Sequence, residues 1–356
     1  MRKDKTYMGK IGRSLGYGLL LAVLCLQLPS CTDDDAVLPA TGETCKATLR
    51  LNVSSFGSRG TDGMARSVAG NSDEDLVKDL WVFQFSTITD SLLKDPVYIS
   101  AEQLNGDVDE IEIDFTQNSP GESSIVCAVA NTHDKNWATD ENNQTRKGFS
   151  TYTEFQQQAL PADASQPFLS SNMGATGGYT IPMYGTTQIT IAAKTYIRVP
   201  LIRMFARVHV YVDPSYPNAH HMSIKSITYS NVPLYCRVKG ITEKNEYPDN
   251  VEWKEYVEEG ADDFTLYIPE NIHGVVEEIT DKSTADKSLF PKNALAIKVD
   301  MIHASMSEDP TDNGHIHEYT VYPGGDMKND FNIRRNYIYN VIIKLVSEPD
   351  KDTIVP

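Results

Sequence analysis

Apolar residues recur at alternate positions in short runs from residue 46 to residue 346, and this restricts the chain to an all-β fold. In residues 46–54, Ala47, Leu49, Leu51 and Val53 share one face, while Lys46, Thr48, Arg50, Asn52 and Ser54 share the other. That period of two is the mark of a half-buried strand. Further strands are expected over 79–85, 109–115, 124–131, 188–191, 200–212, 226–231, 264–268, 295–302, 318–322 and 337–346. Turn residues separate several of them, as at Asp213-Pro214, Asn231-Val232-Pro233 and Pro323-Gly324-Gly325. A helix is expected only within 149–160, where Thr153-Glu154-Phe155 can start a short one. The Gly/Ser/Arg-rich stretch 57–71 has no period and reads as a mobile loop. Many short strands with Pro/Gly turns imply β-sandwiches. The length fits two of them, 45–196 and 197–356, divided at the Thr/Tyr-rich junction near residue 197.

The N-terminus has a different grammar. Arg2, Lys3, Lys5, Lys10 and Arg13 precede an apolar run over 15–28, which ends Leu28-Pro29-Ser30-Cys31 and turns at once to Thr32-Asp33-Asp34-Asp35. The run has about 14 residues, short of the ~20 that span a bilayer as a helix. Gly16, Gly18 and Pro29 also interrupt it, so residues 1–30 read as a cleaved signal peptide. Ser30 before Cys31 and Leu28 three residues before it make a lipobox, with Pro29 an untypical middle residue. Cys31 is the expected lipidation site, and two or more acyl chains hold a protein stably at a membrane. Residues 31–44 then form an acidic tether, and its Asp run resembles the export signal of surface lipoproteins in Gram-negative anaerobes.

Charge and cysteines exclude several functions. The precursor stands at −17, and residues 1–30 hold five basic residues against Asp4, so residues 31–356 stand at −21. A chain this acidic is not expected to bind nucleic acid, because it cannot release phosphate counterions. Cys45, Cys127 and Cys236 remain beyond the lipobox without any CxxC. Cys127 lies in an apolar run and reads as a small core residue; a disulfide from Cys45 stays open.

No catalytic or metal set emerges, and no cofactor is expected. His315 and His317 would share a strand face, half of a zinc site, yet no third ligand is specified. His220-His221 is weaker. The 309–313 stretch has the composition of a calcium loop with the wrong spacing. Gly177-Gly178 and Gly324-Gly325 are turns, with no helix after them. Trp81 reads as core, whereas Trp137 and Trp253 lie in polar segments and could form a sugar-stacking surface.

The order of short motifs resembles a known family. The lipobox and the 46–54 strand are followed by an Arg-bearing loop, Leu80-Trp81-Val82-Phe83-Gln84-Phe85, Ala130-Asn131-Thr132 and Ile181-Pro182-Met183-Tyr184-Gly185. Then come the 200–208 segment, Tyr267-Ile268-Pro269-Glu270-Asn271, Tyr322-Pro323-Gly324-Gly325 and the 330–339 segment. Together these resemble the fimbrillin superfamily of Bacteroidales, lipoprotein-derived subunits of type V pili.

The resemblance implies two transthyretin-like, Greek-key β-sandwich domains, a cell-surface and outer-membrane location, and no enzymatic activity. It implies partnership with other fimbrial subunits by β-strand complementation. An arginine-directed protease would remove the first strand, and a neighbour's strand would replace it. Arg59 and Arg66 are the candidate cleavage sites. The tail 347–356 offers only Ile354 and Val355 as apolar residues, so it is not expected to donate a strand. A tip or accessory position, with a host or bacterial surface ligand as partner, is therefore the expectation. A lipid-retaining anchor and a glycan-binding surface lipoprotein are the alternatives.

Overall fold

The computed structural model describes residues 42–59, 65–68, 74–104, 110–132, 149–161, 180–303 and 315–345. The signal 1–30, Cys31, Trp137, Gly177-Gly178, the 309–313 stretch and the tail 347–356 lie outside them. The expected all-β fold holds. In chain order the elements are β1 (Thr44–Val53), β2 (Phe56–Arg59), β3 (Ala65–Val68), β4 (Leu80–Ser86), β5 (Val97–Ile99), α1 (Ala101–Leu104), β6 (Ile111–Thr116) and β7 (Ser124–Ala130). They continue with α2 (Tyr152–Gln156), β8 (Ala159–Pro161), β9 (Met183–Ile189), β10 (Tyr196–Arg203), β11 (Phe205–Val212), α3 (Ser215–Ala219) and β12 (Met222–Pro233). The last are β13 (Tyr235–Arg237), β14 (Trp253–Glu259), β15 (Asp263–Pro269), β16 (Ala296–His303), β17 (His315–Val321) and β18 (Tyr337–Ile343).

A seven-stranded sheet runs β5-β4-β7-β9-β10-β1-β6. A five-stranded sheet, β15-β11-β18-β2-β3, and a four-stranded sheet, β14-β12-β16-β17, follow it, with β13-β8 as a small separate pair. The five- and four-stranded sheets share one core, in which Val208 and Val210 of β11 meet Ile227 and Tyr229 of β12 and Val299 of β16. The buried Tyr229 hydroxyl is satisfied by the carbonyls of Val208 (3.1 Å) and Phe264 (2.9 Å), as a polar group in an apolar layer must be.

β4 is apolar on both faces, as its sequence demands. Leu80 and Val82 enter one core with the inward residues of β1, and Trp81, Phe83 and Phe85 enter another with Phe56 and Tyr267. Gln84 reaches across to β6, accepting from Thr116 N at 2.8 Å and donating to Thr116 O at 2.6 Å. The short α2 starts at a capping box, in which Thr151 Oγ1 accepts from Glu154 N and Glu154 Oε2 accepts from Thr151 N.

Two sequence expectations change. The single strand expected over 200–212 is two strands, β10 and β11, in different sheets. Residues 203–206 are all buried, and that break in the alternation marks where the chain crosses between sheets. The loop expected over 57–71 contributes β2 and β3, an antiparallel pair with Ser58 opposite Arg66. β2 in turn lies parallel to β18, with Gly57 beside Tyr337. β2 therefore pairs with the last strand of the chain, while β1, which ends at Val53, pairs in the seven-stranded sheet.

Candidate functional site

β1 fills a slot inside the seven-stranded sheet. It runs parallel to β10, with Leu49 beside Ile197 and Leu51 beside Val199, and antiparallel to β6, with Ala47 beside Ile113. Cys45, Ala47, Leu49 and Leu51 are buried in the core behind it. Its outward face is polar. Lys46 pairs with Glu112, Arg50 donates to Glu110 at 2.7 Å, and the Arg50 guanidinium lies 4.8 Å from the centre of the Tyr196 ring. Those exposed pairs contribute little. The apolar face holds the strand, at about 1.5–3 kcal/mol for each fully buried leucine.

Between β1 and β2 the chain crosses from one sheet to the other, and a buried polar cluster clamps it there. Arg203 is fully buried at the end of β10. Its Nη1 donates to the Ser54 carbonyl (2.8 Å) and to Asn336 Oδ1 (3.0 Å), its Nε donates to the Glu74 carbonyl (3.0 Å), and its Nη2 pairs with Asp75. Asn336 Nδ2 donates to the Ser55 carbonyl at 2.9 Å. Asn336 holds φ +57°, a left-handed conformation that asparagine tolerates better than most residues. The Phe56 ring is also fully buried, 3.9 Å from the Arg203 guanidinium and 5.5 Å from that of Arg207. Both distances are in cation–π range. Glu74 completes the cluster, accepting from Arg207 at 2.8 Å and from the Tyr267 hydroxyl.

The sequence reading did not single out Arg203. A signal existed: Ile197, Val199, Leu201 and Arg203 share the inward parity of β10, and an inward arginine demands buried partners. Arg59 and Arg66, the candidate cleavage residues, lie on β2 and β3, where Arg59 is opposite Ala65. Residues 60–64 between them lie outside the described residues.

The later motifs meet in space. Arg335 donates to Glu270 (3.0 Å) and to the carbonyls of Val238 (2.9 Å) and Arg237 (2.6 Å), while Glu270 accepts from Ile241 N at 2.7 Å. Lys282 is buried over the Phe331 ring and donates to the carbonyls of Tyr322 (3.1 Å), Asp326 (2.8 Å) and Asp330 (2.7 Å). These contacts are structural fixings rather than chemistry.

Trp253 begins β14 and packs against Tyr247 and His273, with ring centres 5.4 Å and 5.6 Å away. The three line a cleft of about 320 Å³ with Lys244, Asp249 and Asn293. Burial pushes the His273 imidazole down to about 4, and Lys244 adds to the shift. His273 is thus neutral in the fold, whereas the unfolded chain takes up its proton near pH 6.5. Its contribution to stability is whole above pH 6.5 and is lost as the pH falls toward 4. A His273→Gln chain is expected to lose roughly 2–3 kcal/mol less than the parent between pH 7 and pH 4, read by denaturant unfolding at each pH.

Trp81 is in the core, as expected, with its ring centre 4.8 Å from that of Tyr98. His315 and His317 lie on β17, where the register sets His303 opposite His315 and Met301 opposite His317. Among the described residues no group of three or more His, Cys, Asp or Glu is placed to hold a metal. Cys45, Cys127 and Cys236 are buried free thiols, so the disulfide left open for Cys45 does not form. Burial pushes the Cys127 and Cys236 thiols up to about 12. Among the described residues no helix is long and apolar enough to cross a membrane.

A family model described as a domain of unknown function, DUF4906, matches residues 266–343, the stretch holding Glu270, Lys282, Arg335 and Asn336. A search of curated proteins finds no match. Two solved structures share the architecture. One is a candidate cell adhesion protein from Parabacteroides distasonis, 16% identical, covering 89% of this chain and 96% of its own with a TM-score of 0.53. The other is the tip fimbrial protein Mfa3 from Porphyromonas gingivalis with a C-terminal truncation, 16% identical, covering 86% and 97% with a TM-score of 0.53. The chain has the fimbrial fold. The expected resemblance to fimbrillins is therefore borne out at the level of fold.

Proposed function

We propose that this chain is a structural and adhesive subunit of a cell-surface fimbria, delivered as a lipoprotein through Cys31 and activated by loss of β1. The observation that carries this reading is that β1 is an inner strand of the seven-stranded sheet, and the chain that follows it bears Arg59 and Arg66. Cleavage after either arginine detaches β1 and β2 together from the rest of the chain. Departure of β1 unpairs one edge each of β10 and β6 and empties the places of Ala47, Leu49 and Leu51. An extended strand with alternating apolar side chains from a neighbouring subunit restores both the hydrogen bonds and the burial, which is β-augmentation. A tip or accessory position is the finer part of the reading, supported by the shared fold of a tip fimbrial protein. The ligand at that tip is expected on the connecting loops rather than on the sheets.

The test is the N-terminus of the protein recovered from assembled fimbriae. Gly60 or Ser67 is expected. Acylated Cys31 at the N-terminus of the assembled protein contradicts activation by loss of β1 and favours a lipid-retaining anchor.

A further inference from the structure

The segment that fills the groove does more than complete one sheet, because the crossover after it is read residue by residue. Ser54 N donates to the Leu201 carbonyl at 2.8 Å, and the next two carbonyls, those of Ser54 and Ser55, are held by Arg203 and Asn336. Those contacts grip backbone and accept any residue type. The next two positions do not. Phe56 is fully buried in the core cluster that also holds Trp81, Phe83, Phe205, Tyr267 and Ile338, with Arg203 on its face. Gly57 donates its N–H to the Asn336 carbonyl at 2.7 Å, and a Cβ at Gly57 would collide with the Tyr337 ring. A segment leaving this site exposes an aromatic-sized void and removes one partner of a buried guanidinium, and both changes are costly.

We propose that the groove selects its incoming strand at this crossover. The partner is an extended peptide of a neighbouring subunit, with small or aliphatic side chains at alternate positions. An aromatic residue and a glycine follow, five and six positions beyond the last of those side chains. This rests on the strand-replacement reading above. Arg203 and Asn336 fix the backbone at the bend, the Phe56 pocket supplies most of the discrimination, and Tyr337 rejects a side chain after the aromatic.

The test uses the full chain with a site-specific protease sequence inserted between Arg59 and Ala65. After cutting, the chain is incubated with an excess of a fluorescent peptide of residues 44–59, and retention is read by gel filtration. The unaltered peptide is expected to enter. The Phe56→Ala peptide is expected to compete at least about 100-fold more weakly, and the Gly57→Val peptide about tenfold more weakly. An Asn52→Ala peptide, changed on the exposed face, should match the unaltered one. Equal entry of all four peptides overturns selection at the crossover and leaves strand replacement standing. Entry of none overturns strand replacement, and the selection with it.

Discussion

Arg203→Met is expected to lower the free energy of unfolding by about 3–5 kcal/mol, the usual cost of removing one member of a buried charged cluster. The arginine is fully buried and links four segments that are far apart in sequence: Ser54, the Glu74-Asp75 pair, the end of β10 and Asn336. Methionine fills much of the volume but donates no hydrogen bonds. The Ser54 carbonyl and the Glu74 carbonyl each lose a donor, and Glu74, itself buried, keeps Arg207 and Tyr267 as partners. The Phe56 ring loses the cation on its face. Arg198→Met is the matched control, because Arg198 lies on the same strand with the exposed parity; its effect is expected to stay within about 0.5 kcal/mol. Denaturant unfolding of the three chains checks both values, with an unchanged denaturant slope showing that stability alone has moved. A loss at Arg203 no larger than that at Arg198 would mean that the clamp does not hold the crossover.

Much of the fold was legible in the sequence because local pattern decided it. Ala47, Leu49 and Leu51 alternate cleanly, and they face the core as their parity requires. The continuous apolar run at 124–131 became β7, an inner strand buried on both faces. The breaks from expectation come where distant partners decide. Residues 56–68 have no period of their own, and β2 exists because β18, some 280 residues later, offers an edge; Asn336 Nδ2 bonds the Ser55 carbonyl across |i−j| = 281. β14 alternates weakly because it is an edge strand on which only Tyr256 is buried and Val257 is exposed, so Trp253 reads as part of a polar segment. The split between β10 and β11 was visible only as four successive buried positions around Met204. The site was legible in part. The strand proposed to leave and the two arginines after it stand out in the sequence, whereas the clamp depends on an arginine at an inward position meeting acids at 74–75 and an asparagine at 336. No short window of sequence contains that meeting.

The central claim is that β1 must leave for the subunit to assemble, and a covalent lock tests it most directly. Thr48 of β1 and Tyr196 of β10 are neighbours in the parallel ladder, and both lie on the face away from the core. Adjacent strands lie about 4.8 Å apart, which suits the Cα separation of a disulfide. A chain carrying Thr48→Cys and Tyr196→Cys should therefore form a bridge that ties β1 in its slot, even after the backbone is cut at Arg59 or Arg66. Such a chain is expected to reach the cell surface, keep its N-terminal segment and stay out of fimbriae. Thiol reductant is expected to restore its incorporation, and each single-cysteine chain should assemble normally. The measurement is the amount of subunit in sheared, purified fimbriae before and after reduction. Loss of the bridged chain from fimbriae, recovered on reduction, is the predicted result; bridged chains present in fimbriae at the level of the unaltered protein would contradict the account.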